Sequence, residues 1–279
     1  IPDIPDSLIV VPETDFLSGL GFQHASTAIW WLSVDFAVPF ELSKSIERGE
    51  GFRKALRVVA RNTLHGQYKA WSNFRLGRLE KSYHFAHSAY CRDFIQEKLG
   101  IRASMLSDYT KTEALKMLPE ERSLRKTRGV VAYNPKKGGR LAQRISEELP
   151  NIEFQPIVGM SKTEVFSVLR ESDVYLDLGH FPGKDHLPRE AALAETPVLL
   201  ADRGAASYDE DFPIASEFKI SVASAGAVSL VVEKLNAMLA NPQAALQQQQ
   251  SFRRAVELEE RDFMVQVDNF RRSVSAARA

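Results

Sequence analysis

From Gly129 onward the sequence switches repeatedly between two hydrophobic periods, and that switching leaves few folds open to it. "GVVAYNP" (129–135) is a run of small and β-branched residues, and "GGRLAQRISEELP" has the apolar spacing of a helix. "IEFQPIVG", "SKTEVFSVLRES", "DVYLDLG", "LPREAALAE" and "TPVLLAD" then repeat the pair in steps of about 20 to 25 residues. Strands and helices alternating at this interval predict a doubly wound parallel sheet. Local signals agree: Ser161 with Glu164 three residues on predicts a capping box, and Pro188 stands near the first position of its helix. "FKISVAS" adds a short strand. "AVSLVVEKLNAMLA" (227–240) and a long polar helix from residue 243 to 275 close the chain, with "QQQQ" expected to be a solvated helical face.

The first hundred residues carry the same pattern less regularly. "SLIVVPE" (7–13), "TAIWWLSVD" (27–35) and "SYHFAHS" (82–88) predict strands, "AYCRDFIQEKLGI" a helix stopped by Gly100, and "ASMLSDY" another strand. Continuous rather than alternating apolarity predicts strands covered on both faces, as in a parallel sheet. Residues 110–128 are polar and charge-dense, which makes them the expected linker between a domain of residues 1–125 and one of residues 126–279.

Composition restricts the chemistry. Thirty-six basic residues balance 36 acidic ones, so no global field recruits nucleic acid or an anionic membrane, and any such preference must be local. One cysteine, Cys91, excludes an internal disulfide framework and a four-cysteine metal site, and suits a reducing, cytoplasmic setting. No apolar run approaches the roughly 20 residues that span a bilayer. The opening "IPDIPDSLIVVPE" lacks a basic region followed by a long apolar core, so no secretory signal is expected. His84 and His87, three apart on an expected strand, face opposite sides and make a poor metal pair. There is no P-loop, no nucleophile elbow and no spaced-glycine dinucleotide fingerprint after the first strand.

Ligands of open parallel sheets collect where strands end and helices begin. Three loops of the second domain meet that condition: "YNPKKGG", "PIVGMSK" and "GHFPGKDHLPRE". Lys136 and Lys137, before two glycines, could bring ammonium groups and backbone N–H groups onto a diphosphate, and Gly159 and Met160 could pass backbone along a base.

In their order, "VVAYNPKKG", "PIVGMSKTEVFSVLRESDVYLDLG" and "LPREAALAETPVLL" resemble the nucleotide-sugar-binding half of glycosyltransferases of the two-Rossmann GT-B fold, particularly the retaining family 4. The resemblance covers residues 129 to about 220 best. It implies that Lys136 or Lys137 holds the donor diphosphate and that Gly159 and Met160 lie beside the base. It also implies that the helix start at Leu187 to Arg189 faces the phosphates while Glu190 takes the ribose hydroxyls. The chain departs from the family at Pro182, where many members carry a second glutamate, leaving His180, Lys184, Asp185 and His186 as replacements facing the sugar. Glu195 stands where a glycine is common before "TPV".

The first domain is expected to be an acceptor-side Rossmann-like domain that is either abbreviated or lacks its natural beginning. Glu13 and Asp35 end its expected strands, where a carboxylate could act on an acceptor hydroxyl or simply cap a turn. Residues 51–81 hold eight Lys or Arg against one acidic residue, Glu80, with aromatics interleaved, and Phe52, Leu56 and Val59 share one helical face. Such a basic amphipathic segment suits peripheral contact with the inner membrane surface or with a phosphorylated lipid-linked acceptor, although a solvated structural helix fits as well. The resulting expectation is a metal-independent transferase of hexosyl type with catalytic candidates Glu13, Asp35 and His180. It would move sugar from a nucleotide-diphosphate donor, with no other cofactor, to a glycan or lipid-linked hydroxyl in bacterial cell-surface polysaccharide assembly. The alternative is a non-catalytic nucleotide-sugar- or partner-binding protein on the same scaffold, and a weaker one is a sugar-nucleotide epimerase.

Overall fold

The computed structural model describes residues 2–15, 18, 21–47, 51–116 and 129–276. The chain divides into two compact units, Ile1–Ser107 with Val265–Ala279, and Asp108–Met264. The residues after Val265, assigned from sequence to the second domain, therefore group with the first unit. Of the expected linker 110–128, Thr110 is buried in the second unit and Glu113–Lys116 forms a short helix, α5; residues 117–128 lie outside the described residues.

The first unit holds four parallel strands in sequential order, β1 Leu8–Pro12, β2 Ser26–Trp31, β3 Tyr83–Ala86 and β4 Ser104–Met105. Helices α1 Glu41–Glu47, α2 Phe52–Leu64 and α3 Gln67–Gly77 connect β2 to β3, and α4 Ala89–Leu99 connects β3 to β4. Right-handed crossovers between strands in sequential order all fall on one face, so the opposite face needs another cover. Side chains alternate along β3 accordingly. His84 is buried with Nε2 at 2.7 Å from the Leu79 carbonyl and Nδ1 accepting the Trp31 indole N–H at 3.1 Å. Its neighbour Phe85 meets Phe270, far along the chain, edge to face at 4.5 Å. β1, expected to be covered on both faces, is an edge strand that buries Ile9 and Val11 and leaves Val10 exposed.

The second unit is a five-stranded parallel sheet in the order β6-β5-β7-β8-β9. Its strands are β5 Val130–Tyr133, β6 Glu153–Pro156, β7 Val174–Asp177, β8 Val198–Ala201 and β9 Lys219–Ile220. The helices are α6 Gly139–Glu148, α7 Lys162–Glu171, α8 His186–Leu193, α9 Ala227–Ala240, α10 Pro242–Gln248 and α11 Gln250–Ala276. Central strands β7 and β8 are buried at every position, as their unbroken apolarity requires. The capping box at Ser161 and Glu164 is formed.

One expectation fails inside "QQQQ". The closing helix breaks at Gln249, which is buried rather than solvated. Its side-chain amide donates to the Val198 carbonyl and accepts the Val198 N–H, both at 2.8 Å, and so closes the backbone at the start of β8.

Candidate functional site

The strand order of the second sheet reverses between β5 and β7, and a crevice opens beyond the carboxyl ends of strands at such a reversal. The loop after β5 and the loop after β7 meet there. Gly138, with φ of +70°, caps α6, and a Cβ at this position would lie 2.8 Å from Leu178. A side chain at Gly179 would collide with Lys137. Both glycines thus let the two loops touch through backbone. The α6 start has no side-chain cap, so its first N–H groups remain directed out of the helix.

Lys136 is exposed on the turn, its backbone N–H held by the Asn134 side chain at 3.1 Å. Lys137 is half-buried, with its ammonium ion-paired to Asp185 and 5.2 Å from the centre of the Phe181 ring. Gly159 takes φ of +67° in the turn after β6, with Met160 half-buried beside it, just ahead of the Ser161 cap. His180 sits on Gly204, where a Cβ would come within 2.8 Å of its ring.

Helix α8 supplies the remaining groups. Leu187 lies in its first turn. Glu190 is 2% exposed; one carboxylate oxygen pairs with Lys162, and the other, Oε2, is buried without a hydrogen-bond partner among the described residues. A carboxylate oxygen left so is costly unless something donates to it.

Arg189, in contrast, is fully used by the fold. Its buried guanidinium donates to Glu259 and pairs with Asp108, both at 2.9 Å, and reaches the carbonyls of Lys184 at 2.5 Å and Asp185 at 3.2 Å. Glu259 also takes the Thr110 N–H and hydroxyl and the Lys184 ammonium. Of the groups expected to replace the missing glutamate, Lys184 is therefore bound to Glu259 and Asp185 to Lys137, while His186 lies 3.6 Å from Asp108.

In the first unit Glu13 is buried and accepts the N–H groups of Leu32 at 2.8 Å and Ser33 at 3.1 Å. Burial raises its pKa despite these donors. Asp35 belongs to a 3-10 turn, Val34–Phe36, beyond the end of β2, and is buried with the Tyr90 hydroxyl on it at 3.0 Å. Both carboxylates thus hold groups of their own unit, Glu13 two backbone N–H groups and Asp35 the Tyr90 hydroxyl.

Two groups escaped the sequence reading. Asp177 ends β7 beside the crevice; burial raises its pKa to about 6, partly offset by the Lys137 charge, the Gly179 N–H and the Tyr175 hydroxyl. The signal was present, because a carboxylate closing the apolar strand "VYLD" at a reversal point is anomalous. Nothing in "SKTEV" marked Lys162 as the partner of Glu190.

Two Rossmann-like α/β units built on parallel sheets, the second with its crevice at the strand-order reversal, make this the GT-B fold of glycosyltransferases. The chain superposes on an S. aureus TarM mutant in complex with fondaparinux, alpha-GlcNAc-glycerol and UDP, with a TM-score of 0.62 and 12% identity over 96% of this chain and 56% of that one. It is similar to sucrose-phosphate synthase from Thermosynechococcus elongatus, with a TM-score of 0.61 and 13% identity over 97% of this chain and 74% of that one. It is also similar to WaaG, a glycosyltransferase involved in lipopolysaccharide biosynthesis, with a TM-score of 0.56 and 12% identity over 87% of this chain and 76% of that one. The chain thus spans little more than half of TarM. No protein-family model and no curated protein matches it by sequence.

Proposed function

We propose that the protein is a glycosyltransferase of hexosyl type that moves a sugar from a nucleotide-diphosphate donor to a hydroxyl of a glycan or lipid-linked acceptor, without a metal ion or other cofactor. The observation that carries this reading is the unpartnered, buried Oε2 of Glu190 on the first turns of α8. A vicinal diol supplies the O–H donor that this acceptor lacks, and the ribose of a nucleotide offers one. In that pose the diphosphate faces the starts of α6 and α8, whose dipoles and outward N–H groups favour anions. Lys136 and Lys137 add positive charge at the same crevice, and Gly159 and Met160 line the base. As the glycosidic bond breaks, negative charge grows on the departing diphosphate, and these fixed groups stabilise it. The Lys137 pair with Asp185 keeps the ammonium in place before the donor arrives.

His180 remains the candidate group facing the sugar, and Glu13 and Asp35 remain candidates on the acceptor side. The setting that fits is the cytoplasmic face of a bacterial inner membrane during cell-surface polysaccharide assembly. Its support is the fold shared with WaaG, a glycosyltransferase involved in lipopolysaccharide biosynthesis.

Thermal shifts with UDP, GDP, ADP and TDP, with and without magnesium, test the reading, because a ligand of the folded state raises Tm by mass action. One diphosphate is expected to bind without metal, and Glu190→Gln is expected to weaken it about tenfold or more, since a hydrogen bond to a charged acceptor contributes about 1.5–3 kcal/mol. Unchanged affinity in a folded Glu190→Gln protein would refute the ribose role. Donor binding with no transfer to water or acceptor would favour the non-catalytic binding protein, the reading that Pro182 supports.

A further inference from the structure

Helices α1 and α2 of the first unit leave between them an apolar groove of about 540 Å³, walled by Leu42, Ile46, Phe52, Leu56 and Val59. α2 is anchored from its other side by buried Val58 and Asn62, the latter donating to Glu41 at 3.1 Å. What it shows to solvent is unusual for a helix of a folded domain: Phe52 is 81% and Leu64 83% exposed, with Leu56 and, from α1, Ile46 more than half exposed. At about 100° per residue Phe52, Leu56, Val59 and Thr63 fall within a sector of about 60°, and Arg53, Lys54, Arg57 and Arg61 occupy the adjoining sector. Among the described residues nearby, Glu41 is paired with Arg61 and Glu47 with Lys44.

We infer that this face docks on an anionic lipid bilayer, with Phe52, Leu56 and the groove seated at the boundary of headgroups and acyl chains, and Arg53, Lys54 and Arg57 at the lipid phosphates. Charge selects this occupant. The chain as a whole is neutral, yet residues 51–81 carry eight Lys or Arg against one acidic residue, so this segment is locally cationic. A second copy seated on the same face would set the two basic rows against each other, whereas an anionic surface neutralises them as the apolar stripe leaves water. The inference deepens the proposed function, and rests on it in naming the surface where a lipid-linked acceptor would be met.

Co-sedimentation of the full chain with vesicles of phosphatidylcholine, alone or mixed with phosphatidylglycerol, tests it. The chain is expected in the pellet only with the anionic vesicles, and less so at high salt. Phe52→Ser with Leu56→Ser, and separately Arg53→Glu with Arg57→Glu, should each lower the bound fraction at least tenfold. These side chains are exposed, and an unchanged Tm confirms folding. A chain that stays in the supernatant with anionic vesicles overturns the inference. So does binding that survives both double substitutions, or a dimer that Phe52→Ser with Leu56→Ser turns into a monomer. The assay contains no nucleotide, and the diphosphate-induced Tm shift of the same preparations reports the donor site, so either reading can fail alone.

Discussion

Asp177 shows how one side chain is set by its place at a strand end. With its pKa raised from 3.8 to about 6, chiefly by burial, the folded state holds a proton between those values that the unfolded state has released. Stability from this group is therefore fully present below about pH 4, falls as pH rises through about 6, and stays low at neutrality, a difference of about 3 kcal/mol. Asp177→Asn cannot titrate. Urea midpoints of the two proteins from pH 4 to 7 should diverge in favour of the variant by an amount of that order, and parallel curves would deny the shift. Residue chemistry of this kind was only partly legible. Glu190 could be picked out only through the resemblance of its helix to the donor-binding helix of GT-B glycosyltransferases, and its pairing with Lys162 depends on a distance no spacing encodes. Glu195 was legible in a different way: the sequence put it where a glycine is common, and it holds φ of +60° there, the left-handed region that glycine enters most easily.

At the scale of elements, α8 is held less by its own propensity than by Arg189. A helix of eight residues is marginal alone, and this one is fastened at its start to Glu259 of α11 and to Asp108. Lys184 joins the cluster, so two cations balance the buried Glu259 and the partly exposed Asp108. Arg189→Met would leave Glu259 and Asp108 with one ammonium between them and should cost about 3–5 kcal/mol, read as a lower unfolding midpoint. A loss below about 1 kcal/mol would mean that water reaches the cluster. The resemblance implied that the helix start at Leu187 to Arg189 faces the phosphates. The actual direction of the Arg189 side chain follows from the position of Glu259, 70 residues later, and no local pattern reports that. Gln249 is the same case, since four consecutive glutamines look alike until the backbone of Val198 selects one of them.

At the scale of the whole molecule, the closing helix α11 divides its duties. Its earlier residues serve the second unit through the Glu259 pair with Arg189, and its later ones serve the first, where Phe270 covers Phe85 and the Gln266 side-chain oxygen Oε1 accepts the Ser107 N–H at 2.7 Å. Deleting residues 265–279 should destabilise the first unit by about 3 kcal/mol or more, the loss expected for an emptied aromatic site. The second unit should keep its transition. Calorimetry of the shortened chain, with and without the diphosphate that binds the full one, reads both. A single unaltered transition would show that the first sheet does not depend on that cover.

The sequence by itself determined the elements and the class of fold, because hydrophobic period, caps and breakers act over a few residues and are written in order along the chain. It also determined where a ligand of the second unit would be sought, since parallel strands put every strand-to-helix loop of a sheet on one edge. The tertiary structure decided which charges are consumed and which are left over: Arg189, Lys184, Glu13 and Asp35 are tied inside their units, while one oxygen of Glu190 and the exposed stripe of α2 are not. It also decided that the last residues of the chain serve the first sheet. The physical reason is common to these cases. Burial and pairing depend on distances between residues far apart in sequence, and those distances exist only once the chain has closed on itself.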